Sequence, residues 1–568
     1  MNKAPSLQTF LARRRHLTPH SAIPFVLLSA FTLQSFWFIR TQSFTYDEPA
    51  HIIAGIDAWH HGRFEHWNDH PPLGRLWLTL PMIGINSEFA WRQLPLGYRV
   101  DAMQPGPEQV AARTRPMDTV LGIALGAALW FATRRLFSPG AANLALALFA
   151  FTPSLIAHFS VATTDGIGTL FIFLVAFQLV RWRHRPTWTQ TAILGLALGG
   201  LLLSKFYAPP LVLLALAGML LLKPRGVWLV PRQWNWNRAL AALAIALMTL
   251  WAGYFFHVSH FTVGNGQAIA TFPHRGLKSW ATKSRLNFSA YVPAGEFFEG
   301  LREVALSNKR GRPAWFFGKI YPHGGIHLYY PAAIALKWPP ILLALFFASL
   351  LMGVRKACRA PADLLVVWAF PVAFLFFAIQ SKYDIGERHI LPLYPFVLLI
   401  AGSFWEHIRE RKPRLGVDVK LPSGHRSLNW NAIALVLLVA LNAADSLRAA
   451  PDYLSYFNIL VRPTQSWRFL TDSNLDWGQG LIAVRDYEQK HPDEPLRLGY
   501  FGSVNPALYG VHAPSLSPEE RVTGKVAVGA SALSGQVLPD PNSYRWLLNY
   551  APTGMIGRSM LLYDIKGR

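Results

Sequence analysis

The sequence predicts an α-helical polytopic membrane protein with a small α/β domain at its C-terminal end. Three observations carry this reading. Apolar runs near the ~20 residues needed to cross hydrocarbon recur along most of the chain. Of 568 residues, 52% are hydrophobic and only 15% charged, and the mean hydropathy is +0.23; this is the composition of a bilayer solute, not of a soluble domain. The last segment differs, alternating β-rich runs (Arg497 to Phe501, Lys525 to Val528, Met560 to Tyr563) with helix-compatible stretches.

The apolar pattern gives about eleven spans, at 21–40, 116–133, 141–159, 166–181, 190–204, 207–222, 239–257, 331–352, 362–380, 390–406 and 429–447. Little more than Ser204, Lys205 and Phe206 separates 190–204 from 207–222, which implies a tight hairpin or a broken helix. The first run follows Arg13, Arg14 and Arg15 but is longer than a signal-peptide core and has no clear small-residue cleavage site after it, so it is read as a retained span. The expected organisation is a cytoplasmic tail (1–20), a transmembrane domain (21–447) with outer loops 41–115 and 258–330, and an outer α/β domain (448–568).

The net charge of +23 suggests nucleic acid at first sight, but the cations fall in short loops between apolar runs, where topology accounts for them. Placing the N-terminus inside makes the inner loops those with Arg134/Arg135, Arg181/Arg183/Arg185, Lys223/Arg225/Arg232, Arg355/Lys356/Arg359 and Arg409/Arg411/Lys412/Arg414. The outer loops then hold chiefly Lys205, Lys382 and Arg388, as the positive-inside rule requires. The single cysteine, Cys358, excludes an intrachain disulfide and a multi-cysteine metal cluster. His70, His323 and His327 have no recognised metal-ligand spacing, so no cofactor is expected and a divalent metal stays open but unsupported.

Directly after the first span comes Thr45-Tyr46-Asp47-Glu48-Pro49-Ala50-His51, two carboxylates at the membrane surface. They could cap an amphipathic helix through Ile52, Ile53, Ile56 and Trp59, or serve chemistry. Further on, Asn68-Asp69-His70-Pro71-Pro72-Leu73-Gly74-Arg75 bends the chain before a second apolar helix, and Arg75 is either a snorkelling arginine or a clamp for a lipid phosphate.

An acidic pair after the first span followed by HPPLGR resembles the first loop of the protein O-mannosyltransferase and aminoarabinose-transferase group, the GT-C glycosyltransferases that use polyprenyl-phosphate sugars. The likeness continues at Thr163-Thr164-Asp165, Leu203-Ser204-Lys205-Phe206, Tyr329-Tyr330-Pro331, Lys337-Trp338-Pro339 and Ile385-Gly386-Glu387-Arg388-His389-Ile390-Leu391-Pro392. Where this group often has lysine after HPPLG, the chain has Arg75, which keeps the charge but changes the geometry of phosphate binding.

The resemblance implies Asp47 as the base, with Glu48 as second choice, for an inverting transfer to an acceptor hydroxyl on a protein, glycan or lipid. It implies a polyprenyl-phosphate-sugar donor in the bacterial inner membrane. The expected phosphate and donor contacts are Arg75, Lys205 and Arg388, with His389, Asp165 and His70 beside them; Asp165 could equally cap the following span.

In the C-terminal domain, Asp472-Ser473-Asn474-Leu475-Asp476-Trp477-Gly478-Gln479 is expected between a strand ending near Leu470 and a helix through Tyr487. That placement suits Asp472, Asn474, Asp476 and Trp477 to bind acceptor or sugar, and equally to form an Asx-turn and cap cluster. A transporter with an external binding domain is the main alternative, disfavoured because polar motifs gather at one face and not at mid-membrane. A scaffold whose outer domain recruits partners is the third.

Overall fold

The computed structural model describes residues 19–64, 66–94, 97–221, 236–264, 267–270, 288–410, 416–421 and 424–566. Arg13 to Arg15 before the first run, and Lys223, Arg225, Arg232, Arg411, Lys412 and Arg414 of the expected inner loops, lie outside the described residues, as does the tail 1–18.

The helices stand where the apolar runs fall. Pro19–Thr41, Asp165–His184 and Pro361–Gln380 match the expected spans closely, whereas Pro107–Leu136 begins well before 116 because its first turns are polar and escape a hydropathy reading. Among the described residues five helices are long and apolar enough to cross a membrane, or six if one bent pair counts as a span. The expectation of about eleven corresponds instead to a mixture of long helices and shorter pieces. Trp188–Leu202 and Ala208–Leu221 have 15 and 14 residues, which at ~1.5 Å per residue falls short of ~30 Å of hydrocarbon. These two touch each other only briefly, the first lying on Trp236–Gly253 and the second on Pro361–Gln380. The turn between them is therefore a break that presents Lys205, and not a tight hairpin.

Tyr329–Lys337 and Pro340–Leu351 form the bent pair, turning by 111°. Pro339 and Pro340 supply no amide to continue the ladder. Asn458 satisfies the freed carbonyls, its Nδ2 donating to Ala335 O at 2.7 Å and Trp338 O at 3.1 Å.

The C-terminal sheet has the order Leu496–Gly499, Gly524–Gly529, Met560–Ile565, Gly554–Ile556. The first two strands are parallel and the remaining pairings antiparallel. No strand precedes Leu470: the chain there forms a 3-10 turn, Pro463–Arg468. The motif beginning at Asp472 thus does not sit at a strand's carboxyl end, and that basis for ligand binding falls away. The C-terminal segment shares one continuous buried core with the helices, running from Phe31, Leu148 and Tyr394 through Leu470 to Val528 and Tyr563. The hairpin Glu88–Leu94/Gly97–Gln104 also joins it, with Val100 N donating to Ser503 O at 2.8 Å.

The basic ends of the helices gather together. Arg183 and His184 reach Asp363 at 2.9 and 2.7 Å, and Arg359 N donates to Leu136 O at 2.8 Å beside Arg134 and Arg135. Asp165 and Arg181 to His184 lie at opposite ends of one 20-residue helix, roughly 30 Å apart, the thickness of a bilayer core.

Candidate active site

The acidic pair after the first span divides its labour. Glu48 is fully buried, and each of its oxygens takes two hydrogen bonds: Arg115 Nε (2.8 Å) and Ala162 N (2.7 Å) on Oε1, Arg115 Nη2 (2.8 Å) and Thr45 N (2.7 Å) on Oε2. With no lone pair left for an acceptor hydroxyl, Glu48 is structural, and its candidacy as a base is withdrawn. Arg115 spends its other donors on Gln42 O (2.6 Å) and Ser43 O (2.7 Å), tying the end of the first helix to Pro107–Leu136. The sequence reading overlooked Arg115; its signal is an arginine one residue ahead of an apolar run.

Asp47 faces the other way. It precedes the helix Glu48–His61 without making a side-chain cap, keeps 30% of its side-chain surface exposed, and pairs with Arg388 Nη1 at 2.9 Å. Burial raises the Asp47 carboxyl above the ordinary carboxylate range against the opposing pull of Arg388. Asp165 likewise makes no cap: it begins Asp165–His184 but pairs with Lys205 Nζ at 2.6 Å and Arg388 Nη1 at 3.5 Å. Lys205 also donates to Thr164 Oγ1 at 2.9 Å. Four residues from four distant segments thus form the chain Lys205, Asp165, Arg388, Asp47, and the two cations are buried.

Beside this chain stands a second group. Arg75 is buried, bonding Asp69 Oδ1 at 2.6 Å and His51 Nδ1 at 3.3 Å. His70 lies with its ring 5.2 Å from that of His51. Burial, aided by Arg75 at His51 and Lys205 at His70, holds both imidazoles neutral, well below the ordinary histidine value. A cleft lined by Phe64, His66, Asn68, His70, Arg75 and Tyr254 opens here. His389, next to Arg388, has a buried Nε2 with no hydrogen-bond partner among the described residues. No group of three His, Cys, Asp or Glu side chains among the described residues is arranged to hold a metal ion.

The C-terminal motif supports this site more than it offers a second one. Asn474 is consumed internally, accepting from Glu387 N (2.9 Å) and donating to the Tyr329 hydroxyl (2.8 Å). Asp476 accepts from Ser531 N (3.0 Å) and Gly478 N (3.3 Å), and burial pushes its carboxyl up to about 7. Asp472 accepts from the adjacent Ser473 N at 2.7 Å, and burial pushes it up to about 6, while the Asx-turn alternative is seen at Asp476 with Gly478 N. The side chains of Asn474 and Asp476 are both fully buried and bonded inside the protein, which supports the turn-and-cap alternative over acceptor binding. The indole of Trp477 lies under Arg388, 4.2 Å from the guanidinium carbon. Below it, fully buried Lys337 pairs with Glu387 at 3.3 Å and fixes the turn that carries Arg388.

Arg312 is the other cation missed in the sequence. It is exposed, lies 5.6 Å from the Tyr383 ring, and lowers the proton affinity of both Asp47 and Asp472. No motif surrounds it.

Gly97 is required by close approach. Its φ is +133°, and a methyl group there would overlap the Tyr46 hydroxyl. Tyr46 cannot yield freely because its ring stacks on Phe501 at 5.1 Å. Gly97→Ala is expected to cost about 1–3 kcal/mol and to reduce turnover by moving the residue before Asp47; thermal unfolding with the transfer assay checks this.

A family model described as dolichyl-phosphate-mannose-protein mannosyltransferase matches residues 110–251. No curated protein matches the sequence. Among solved structures, the chain is similar to ArnT from Cupriavidus metallidurans bound to undecaprenyl phosphate, at 13% identity and TM-score 0.47, over 95% of this chain and 97% of that one. It is also similar to the oligosaccharyltransferase of Archaeoglobus fulgidus with a tethered acceptor peptide, at 11% identity and TM-score 0.40, over 93% and 72%. The match to the mannosyltransferase family is confined to residues 110–251, within a multi-pass integral membrane protein that is a glycosyltransferase.

Proposed function

We propose that the chain transfers a sugar from a polyprenyl-phosphate-linked donor to an acceptor hydroxyl on a protein, glycan or lipid, with inversion, at the outer face of a bacterial inner membrane. The observation that carries this is the ion pair between partly exposed Asp47 and buried Arg388 at 2.9 Å, continued to Asp165 and Lys205. Asp47 takes the acceptor proton as the hydroxyl oxygen attacks the anomeric carbon. The bond from that carbon to the phosphate oxygen breaks, and the phosphate leaves with one more negative charge. Charge thereby moves from the carboxylate to the phosphate, and Arg388, already bonded to Asp47, can follow it. Lys205 and Arg75 supply further positive charge, and Asp165 orients Lys205 and Arg388.

The sidedness rests on the helix Asp165–His184, whose basic end lies about one hydrocarbon thickness from the site. Reconstituted protein supplied with labelled polyprenyl-phosphate sugar is expected to release polyprenyl phosphate with formation of a glycosidic bond of inverted configuration. Accumulation of intact label inside the vesicles, with no bond cleaved, would instead establish a transporter.

A further inference from the structure

Trp477 touches both halves of the ion pair. Its ring lies 4.2 Å beneath the Arg388 guanidinium carbon, and its backbone carbonyl accepts the amide of Tyr46, the residue before Asp47, at 2.7 Å. The turn around it is fixed. Trp477 N donates to Gln479 Oε1 at 2.7 Å, and Gln479 O accepts from Ser43 N at 3.0 Å. The Ser473 hydroxyl, in the same motif, accepts from Arg388 Nε at 3.2 Å and donates to Ile385 O at 2.8 Å. Only 1% of Trp477 is exposed, so ring and guanidinium meet away from water, where a cation over an indole face is held most strongly.

We infer that Trp477 is a positioning residue for the transfer reaction, its ring and its carbonyl together setting how closely Arg388 approaches Asp47. The inference rests on Asp47 acting as the base. A buried tryptophan that only fills space would be replaced adequately by any apolar side chain of similar bulk. A positioning tryptophan would not, because the planar guanidinium stacks its face on a flat π-system while its N–H groups point in its plane to carboxylates. Without the face, Arg388 is free to turn toward Asp165, already 3.5 Å away, and to leave Asp47. The other charged or titratable groups acting on or acted on by Asp47 are Asp69 in its own loop, Asp165, Arg312, Asp472, and the phenols Tyr46 and Tyr98. Of the two cations, only Arg388 is bonded to it, so loss of that contact raises the affinity of Asp47 for its proton.

The test is the pH profile of kcat/KM for polyprenyl-phosphate release by the full-length protein in detergent. Trp477→Leu is expected to move the acid limb upward by about one pH unit, so that activity falls about tenfold on that limb and little on the alkaline side. Trp477→Phe, which keeps a π-face, is expected to restore most of it. If Trp477→Leu does not fold, Trp477→Met, which also lacks a π-face, is compared in wild-type and Arg388→Lys backgrounds. A ring that acts through the guanidinium gives a loss in the first and none in the second. Equal losses in both backgrounds, or a Trp477→Leu enzyme with an unmoved acid limb, would overturn the inference. Its failure is separable from that of the base assignment: an inactive Asp47→Asn beside an unmoved Trp477→Leu profile removes only the role of Trp477, whereas a fully active Asp47→Asn removes the base.

Discussion

Asp47→Asn is expected to lower the rate of sugar transfer by about 10²–10⁴-fold, the range a positioned general base supplies, while leaving the protein folded. The side chains are nearly isosteric, and an asparagine oxygen can still accept from Arg388, so binding geometry is kept and only the proton acceptor is lost. Stability should move in the opposite sense from activity. Burial raises the Asp47 carboxyl in the folded state, so the folded protein holds this proton more tightly than the unfolded chain does. Folding stability therefore falls as pH rises from the ordinary carboxylate value through the raised one, and at neutral pH the ionised group costs stability. The asparagine variant should melt at the same temperature or slightly higher. With Asp47 as the proposed base the ionised form is the working one, so activity should drop as pH falls through the raised value, above where an unperturbed aspartate titrates. Product release and thermal unfolding on one preparation check these points, and undiminished transfer by the variant would end the assignment.

Arg115→Ala is expected to cost about 3–5 kcal/mol of stability, the effect of removing one partner from a buried pair. Glu48 and Arg115 are both fully buried with every strong hydrogen bond satisfied within the protein. Deleting the arginine strands a carboxylate and frees the Gln42 and Ser43 carbonyls at the end of the first helix. Arg115→Lys should also destabilise, since one ammonium cannot bridge both Glu48 oxygens and two carbonyls. The double variant Glu48→Gln, Arg115→Met should be less damaged than Arg115→Ala, because no unpaired charge remains. Unfolding in detergent reports this directly; an Arg115→Ala protein that melts like the wild type would refute the structural role of the pair.

The two members of the acidic pair show where sequence reading stops. Their position after the first span and their charge mark both as candidates, and nothing local distinguishes them. The distinction comes from helix Pro107–Leu136, which brings Arg115 to Glu48, and from the turn Glu387–Leu393, which brings Arg388 to Asp47. The strand expected before Asp472 fails for a different reason: Pro463 opens a largely exposed 3-10 turn through Arg468, which leaves no extended run there to pair.

By itself the sequence determined the helical membrane class, the positions of several long helices, three of the four C-terminal strands, and the segments that carry charge beside the apolar runs. These follow from hydropathy, proline position and charge, which are local properties that act over a span or a turn. The tertiary structure alone decided that Asp47 and not Glu48 stays partly exposed beside Arg388, that Lys205, Asp165 and Arg388 form one chain with it, and that the motif around Trp477 packs against that chain. Those outcomes depend on which charge finds a partner once water is excluded. Burial makes an unpaired ion too costly to keep, and the partners lie tens to hundreds of residues away along the chain.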